Sequence, residues 1–196
     1  MAVKAESGSK VAGISDQAVE SATGKTWEQW CRILDKGGAK SMAHKEIAKL
    51  LSEEHGVGMW WSQMVTVGYE QARGLRSENQ SCRGDFQAGV SRTIGVPVAT
   101  LFAAWKDAKS RSAWLGKRPL VVRKATANKS MRITWPDETS VEVNFYAKAS
   151  DKSQVTVQHS KLDKKSEVAK AKKTWGDALD QLKAKLENGA PATKRA

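Results

Sequence analysis

The chain has 196 residues, 40% of them hydrophobic, and a formal net charge of +12. That length suits one or two domains with real cores, and no run approaches the roughly 18 apolar residues of a membrane-spanning helix. Residues 1–24 lack the apolar core of a secretory signal, and two cysteines, Cys31 and Cys82, are too few for a disulfide framework or a zinc site, so a reduced, cytoplasmic setting is expected.

Residues 1–13, rich in Ala, Lys, Ser and Gly, read as a disordered start. Ser15 to Ala22 predicts a short helix before Gly24. Thr26 and Gln29 form a capping pair ahead of the helical stripe Trp27, Trp30, Ile33 and Leu34, which Gly37-Gly38 ends. Ser41 is placed to cap the next helix, whose apolar face is Ile47, Ala48, Leu50 and Leu51; His55-Gly56-Val57-Gly58 breaks it. A last helix over about 59–73 carries Trp61, Met64, Val65, Gly68 and Ala72 as one stripe, with Gly74 as its terminator. Residues 14–76 thus predict a small helical domain.

The last two helices have the outline of a helix-turn-helix. A recognition helix needs polar and basic side chains for base edges and phosphates, whereas this one begins Met59-Trp60-Trp61 and holds no Lys or Arg before Arg73. Core packing is the better reading of its stripe. Trp60 and Trp61 stand about 100° apart on a helix, so either one of them faces a neighbouring domain or partner, or a wide face of this helix is buried in the bundle.

Leu75 to Asp85, almost devoid of apolar residues, reads as a linker. The second domain, 86–188, opens with a strand around Val90–Ile94, then a helix after Pro97 bearing Leu101, Phe102 and Trp105, then Trp114-Leu115. The positive excess is densest from Lys106 to Arg132, where Lys109, Arg111, Lys117, Arg118, Arg123, Lys124 and Lys129 are opposed by Asp107 alone. Such charge is most often a solvated face, and nucleic acid is its alternative partner. Met131–Trp135, Val141–Phe145 and Val155–His159 each place apolar residues at every second position, the mark of strands with one buried face. Pro136-Asp137-Glu138-Thr139 and Ser150-Asp151-Lys152-Ser153 supply the turns between them. A long helix follows, with Asp163 as cap, Asn188-Gly189 as stop, and Val168, Ala171, Trp175, Ala178, Leu179, Leu182 and Leu186 in one stripe. A sheet covered by such a helix is an α+β layer pair. Residues 190–196 form a basic tail.

The run TWPDETSVEVNFYAKASDKSQVTVQHSKL and the Trp-bearing helix after it resemble the START-like helix-grip superfamily, in the branch named after the activator of heat-shock protein 90 ATPase. The strand at Val90–Ile94, the helix after Pro97 and the pair Trp114-Leu115 agree, so the resemblance spans roughly residues 86–187. It departs from the family at Glu138, where a turn glycine is usual, and in the short segment from Leu115 to Met131, which leaves room for fewer strands and argues against a large cavity. The run HGVGMWWSQMVTVGYEQARGLR resembles a small bacterial domain of unknown function that occurs alone or fused to START-like domains. Together these imply a helical bundle followed by a helix-grip domain, an antiparallel sheet wrapped on a long C-terminal helix.

No nucleophile elbow, P-loop or dinucleotide fingerprint is present. His44 and His55 on one helix would stand about 16 Å apart, too far to share a metal. His159 takes the inward position of its strand, as a satisfied buried histidine or, in the family's geometry, as a cavity residue. Cys31 reads as a small core residue and Cys82 as the exposed thiol. The resemblance implies a binding protein without catalysis or cofactor, for an apolar small molecule or a protein partner, in a chaperone- or stress-linked role. Its cavity candidates are Trp105, Trp114, Trp135, Phe145, His159 and Trp175. The rival reading is nucleic-acid binding through Lys109, Arg111, Lys117, Arg118, Arg123 and Lys124, expected to be weak and sequence-independent.

Overall fold

The structure, a computed structural model, describes residues 10–189, and the chain divides into two compact units that part between Cys82 and Arg83. In the first unit, β1 (Lys10–Val11) pairs with β2 (Ile14–Ser15) across Ala12-Gly13. Both turn residues have positive φ, 52° and 78°, as a tight hairpin requires. The expectation of disorder through residue 13 is corrected here: Lys10 to Gly13 belong to this hairpin, and residues 1–9 lie outside the described part, as does the basic tail 190–196.

Helix α1 (Asp16–Thr23) is capped by the Ser15 hydroxyl and closed by Gly24 at φ 74°. Helix α2 (Trp27–Lys36) starts at the Thr26–Gln29 capping box. A single 3-10 turn, Ala39–Ser41, leads to α3 (His44–Glu53), whose cap differs from expectation. Ser41 bonds back to the Gly38 carbonyl, and Glu46 accepts the Ala43 N–H from inside the helix. Helix α4 (Met59–Ala72) buries Ser62, Val65, Thr66, Gly68, Tyr69 and Glu70, whereas the expected stripe member Ala72 is exposed. The Ser62 and Thr66 hydroxyls donate to the carbonyls of Val57 and Ser62, which removes the cost of burying them. Gly68 has no side chain because the Trp27 ring occupies the space a Cβ would take. Trp27, Trp30, Leu34, Ile47, Leu51, Val65 and Tyr69 make the core, while Met59 and Trp60 at the start of α4 are exposed.

In the second unit β3 (Phe86–Ile94) is followed by α5 (Val98–Lys106) and α6 (Ala108–Leu115). Then come β4 (Val121–Thr126), β5 (Ser130–Thr134), β6 (Ser140–Ala149), β7 (Lys152–Leu162) and α7 (Lys165–Gly189). The sheet is antiparallel throughout, in the order β3-β7-β6-β5-β4, and α7 packs along β3 and β7. Its buried face carries Met131, Ile133, Val141, Val143, Phe145, Val155 and Val157, against which α7 turns Val168, Ala171, Trp175, Ala178, Leu179 and Leu182.

Sequence and structure differ at three places in this unit. Strand β4 was not legible, because all six of its residues are exposed at the sheet edge. Lys152 and Ser153 lie in β7 rather than in the turn, and buried Ser153 is satisfied by donating to the Val96 carbonyl. Helix α7 begins at Lys165, and the Glu167 carboxylate inside its first turn reaches back to accept the N–H groups of Asp163 and Lys164 just before it, in place of a cap by Asp163. Glu138 adopts φ 65°, the left-handed conformation that a glycine takes more cheaply.

Candidate ligand pocket

The six aromatic and imidazole candidates are all buried and touch one another in a chain. Trp105 of α5 lies 4.7 Å from Trp114 of α6, 6.1 Å from Phe145 of β6 and 6.0 Å from Trp175 of α7, with which it stacks. Trp175 in turn stands 4.8 Å from Trp135 and 6.2 Å from His159. The cluster has two parts. Trp105, Trp114 and Phe145 fill the space between the sheet and the α5–α6 pair, joined by Phe102 at 5.4 Å from Phe145. Trp135, His159 and Trp175 form the floor of a pocket of about 290 Å³, completed by Arg118, Asp137, Leu162, Glu167, Lys170, Ala171 and Thr174.

A directional chain of hydrogen bonds runs through the floor. The Trp175 indole N–H donates to His159 Nδ1 at 3.1 Å, so Nδ1 is unprotonated and the ring's proton resides on Nε2. Nε2–H donates to the Thr139 hydroxyl, which donates to Asp137 Oδ1. Burial pushes the His159 pKa down, more strongly than the nearby Asp137 and Glu167 carboxylates raise it, so the ring is held neutral. Burial alone would raise Asp137, but the Thr139 hydroxyl and N–H hold its carboxyl below the ordinary range. Both ring nitrogens of His159 are therefore engaged, and neither is free to take a proton from a substrate or to bind a metal. Among the described residues no cluster of His, Cys, Asp and Glu is arranged to hold a metal ion. His44 bridges Glu70 and Gln63 in the helical unit, and His55 meets the edge of Trp30.

At the rim the Arg118 guanidinium lies 5.4 Å over the Trp135 ring while its Nε donates to the Leu115 carbonyl. The other basic candidates are dispersed. Arg111 turns Nη1 inward to the carbonyls of Trp105 and Lys106, Arg123 donates to the Ser140 hydroxyl, and Lys109, Lys117 and Lys124 stand exposed on α6, the following loop and edge strand β4. Asp137, Thr139, Glu167, Lys170 and Thr174 escaped the sequence reading. Glu167, Lys170, Ala171 and Thr174 recur at three and four, which sets them on the face of α7 beside Trp175.

Residues 117–187 match the family described as activator of Hsp90 ATPase homolog 1-like protein (AHSA1), and residues 17–70 match a domain of unknown function, DUF4287. The second unit carries an AHSA1-like domain. The matched stretch runs from the loop before β4 to the end of α7, so it includes the whole rim and floor of the pocket. Among solved structures, a conserved protein of unknown function from Enterococcus faecalis is similar at 13% identity and TM-score 0.50, over 65% of this chain and 87% of that one. A Mesorhizobium loti protein is similar at 17% identity and TM-score 0.48, over 54% of this chain and 99% of that one. The Aha1 dimer from Colwellia psychrerythraea is similar at 15% identity and TM-score 0.46, over 54% and 98%. At 13% identity, the likeness to the Enterococcus faecalis protein speaks to the fold alone. No curated protein matches the chain. Among the described residues no helix of the AHSA1-like domain or of the helical unit is long and apolar enough to cross a membrane.

Proposed function

We propose that the AHSA1-like domain is a non-enzymatic binding module that takes a small molecule with an apolar body into the pocket floored by Trp135, His159 and Trp175. The observation that carries this reading is a recess of about 290 Å³ whose floor is three buried rings locked in place by stacking and by the Trp175–His159–Thr139 hydrogen bonds. A pre-ordered aromatic floor binds a planar body at little entropic cost, which is what a receptor site requires. The engagement of both His159 nitrogens favours binding over acid–base catalysis. A chaperone- or stress-linked role through a protein partner is suggested by the matching family's description and belongs to the same proposal. Nucleic-acid binding draws no support: the basic residues are dispersed, and the exposed end of α4 is Met59 and Trp60.

The test is titration of the full chain with a neutral bicyclic alcohol, 2-(1-naphthyl)ethanol, followed by thermal unfolding and by the indole N–H resonances. Binding to the folded state raises the melting temperature by mass action, by about 2.7 kcal/mol at a hundredfold excess over Kd, with little salt dependence. The Trp135 and Trp175 resonances are expected to shift first. Unmoved resonances and an unchanged melting temperature at millimolar probe would sink the proposal.

A further inference from the structure

Taking the pocket as a ligand site, we infer that it selects a small aromatic acid, with the ring over the Trp135 side of the floor and the carboxylate facing Arg118 and Lys170. Four charged side chains line the pocket: Arg118, Asp137, Glu167 and Lys170. The two carboxylates are each held by neighbours through one oxygen, Asp137 Oδ1 and Glu167 Oε2. Asp137 accepts the hydroxyl and the N–H of Thr139, and Glu167 accepts the N–H groups of Asp163 and Lys164 at the start of α7. The two cations are available. Arg118 spends its Nε on the Leu115 carbonyl and keeps its terminal nitrogens, and the exposed Lys170 ammonium makes no hydrogen bond or ion pair among the described residues.

The surroundings have the same sign. A second recess, of about 340 Å³, shares Arg118 with the pocket and is lined by Arg111 and Lys117 with no carboxylate in its wall. An anionic group approaching Arg118 from that recess therefore meets cations alone, and part of the basic segment from Lys106 to Arg132 acquires a local purpose. The volume sets the size. About 290 Å³ lies at the lower edge of the ~300–1,000 Å³ range of small-molecule sites, which suits one or two fused rings with a short acidic arm rather than a lipid chain.

The experiment compares three probes of one body by calorimetry on the full chain: 1-naphthaleneacetate, 2-(1-naphthyl)ethanol and 2-(1-naphthyl)ethylamine. Each exposed ion pair contributes at most about fivefold, so the acid is expected to bind roughly tenfold tighter than the alcohol and the amine more weakly than either. Arg118→Gln and Lys170→Gln, both at exposed positions, are expected to lower acid affinity severalfold each and to lower alcohol affinity by clearly less. The advantage of the acid is also expected to shrink as salt rises from about 0.05 to 0.5 M, as screening requires. Equal binding of acid and alcohol would overturn the inference and leave the pocket reading standing; binding of none of the three would overturn both. An equal loss of acid and alcohol affinity in the two variants would also overturn it, because Arg118 and Lys170 would then only shape the pocket wall.

Discussion

Trp175 is the side chain on which both the AHSA1-like core and the pocket floor depend. It is fully buried, stacked on Trp105, against Trp135, and bonded through its indole N–H to His159. Truncation to alanine removes a large apolar surface and leaves a cavity, a change that costs about 3–5 kcal/mol for a tryptophan. It also strips His159 Nδ1 of its donor, and a buried unsatisfied acceptor costs about 1–3 kcal/mol more. Since a whole domain is stable by only about 5–15 kcal/mol, Trp175→Ala is expected to leave the second unit barely folded. Trp175→Phe separates the contributions. The ring remains to fill most of the space, the N–H is lost, and the expected cost is about 2 kcal/mol. Urea titration read from the indole N–H signals of Trp105, Trp114 and Trp135 follows this unit alone. A loss below about 1 kcal/mol in Trp175→Ala would refute the argument, because no close-packed ring of this size leaves a core so cheaply.

Stability of the second unit is expected to fall on mild acidification. Burial places the folded-state pKa of His159 below its ordinary 6.5, so between 6.5 and that lowered value the unfolded chain binds a proton that the folded chain refuses. The contribution is fully present above pH 6.5 and is lost as pH falls toward the folded pKa; a urea midpoint that stays flat from pH 7.5 to 5 in the wild type, or that changes equally in a His159→Asn variant, would remove His159 as the cause. Limited proteolysis is expected to cut first between Leu75 and Asp85, with both fragments remaining folded by circular dichroism; simultaneous unfolding of both after one cut would mean that neither unit is independent.

What could be read in advance divides along a physical line. The strands Met131–Trp135, Val141–Phe145 and Val155–His159 were legible because each has one buried and one wet face, and the stripe of α7 was legible for the same reason at helical period. Strand β4 was not, since with both faces exposed its residues carry no alternation, and its backbone pairs with the edge of β5. Ser153, Ser62 and Thr66 were equally hidden: a buried hydroxyl is tolerated only where a carbonyl waits for it, and those carbonyls were not assignable from composition.

For the pocket, the family resemblance, with residue type and inward position, put Trp135, His159 and Trp175 among six candidates, because large rings at the buried phase of a strand or helix must meet in the layer between them. Their roles came from the tertiary structure. The Trp175 indole, sixteen residues away, and the Thr139 hydroxyl, twenty residues away in the other direction, set the tautomer of His159. Arg118, from a loop before the edge strand, reaches Trp135 across a hairpin, and Lys170 meets the same recess from the first turns of α7. Periodicity in a sequence reports which side of an element is dry. Which charged ends gather around one opening depends on how the elements are stacked, and no local pattern encodes that.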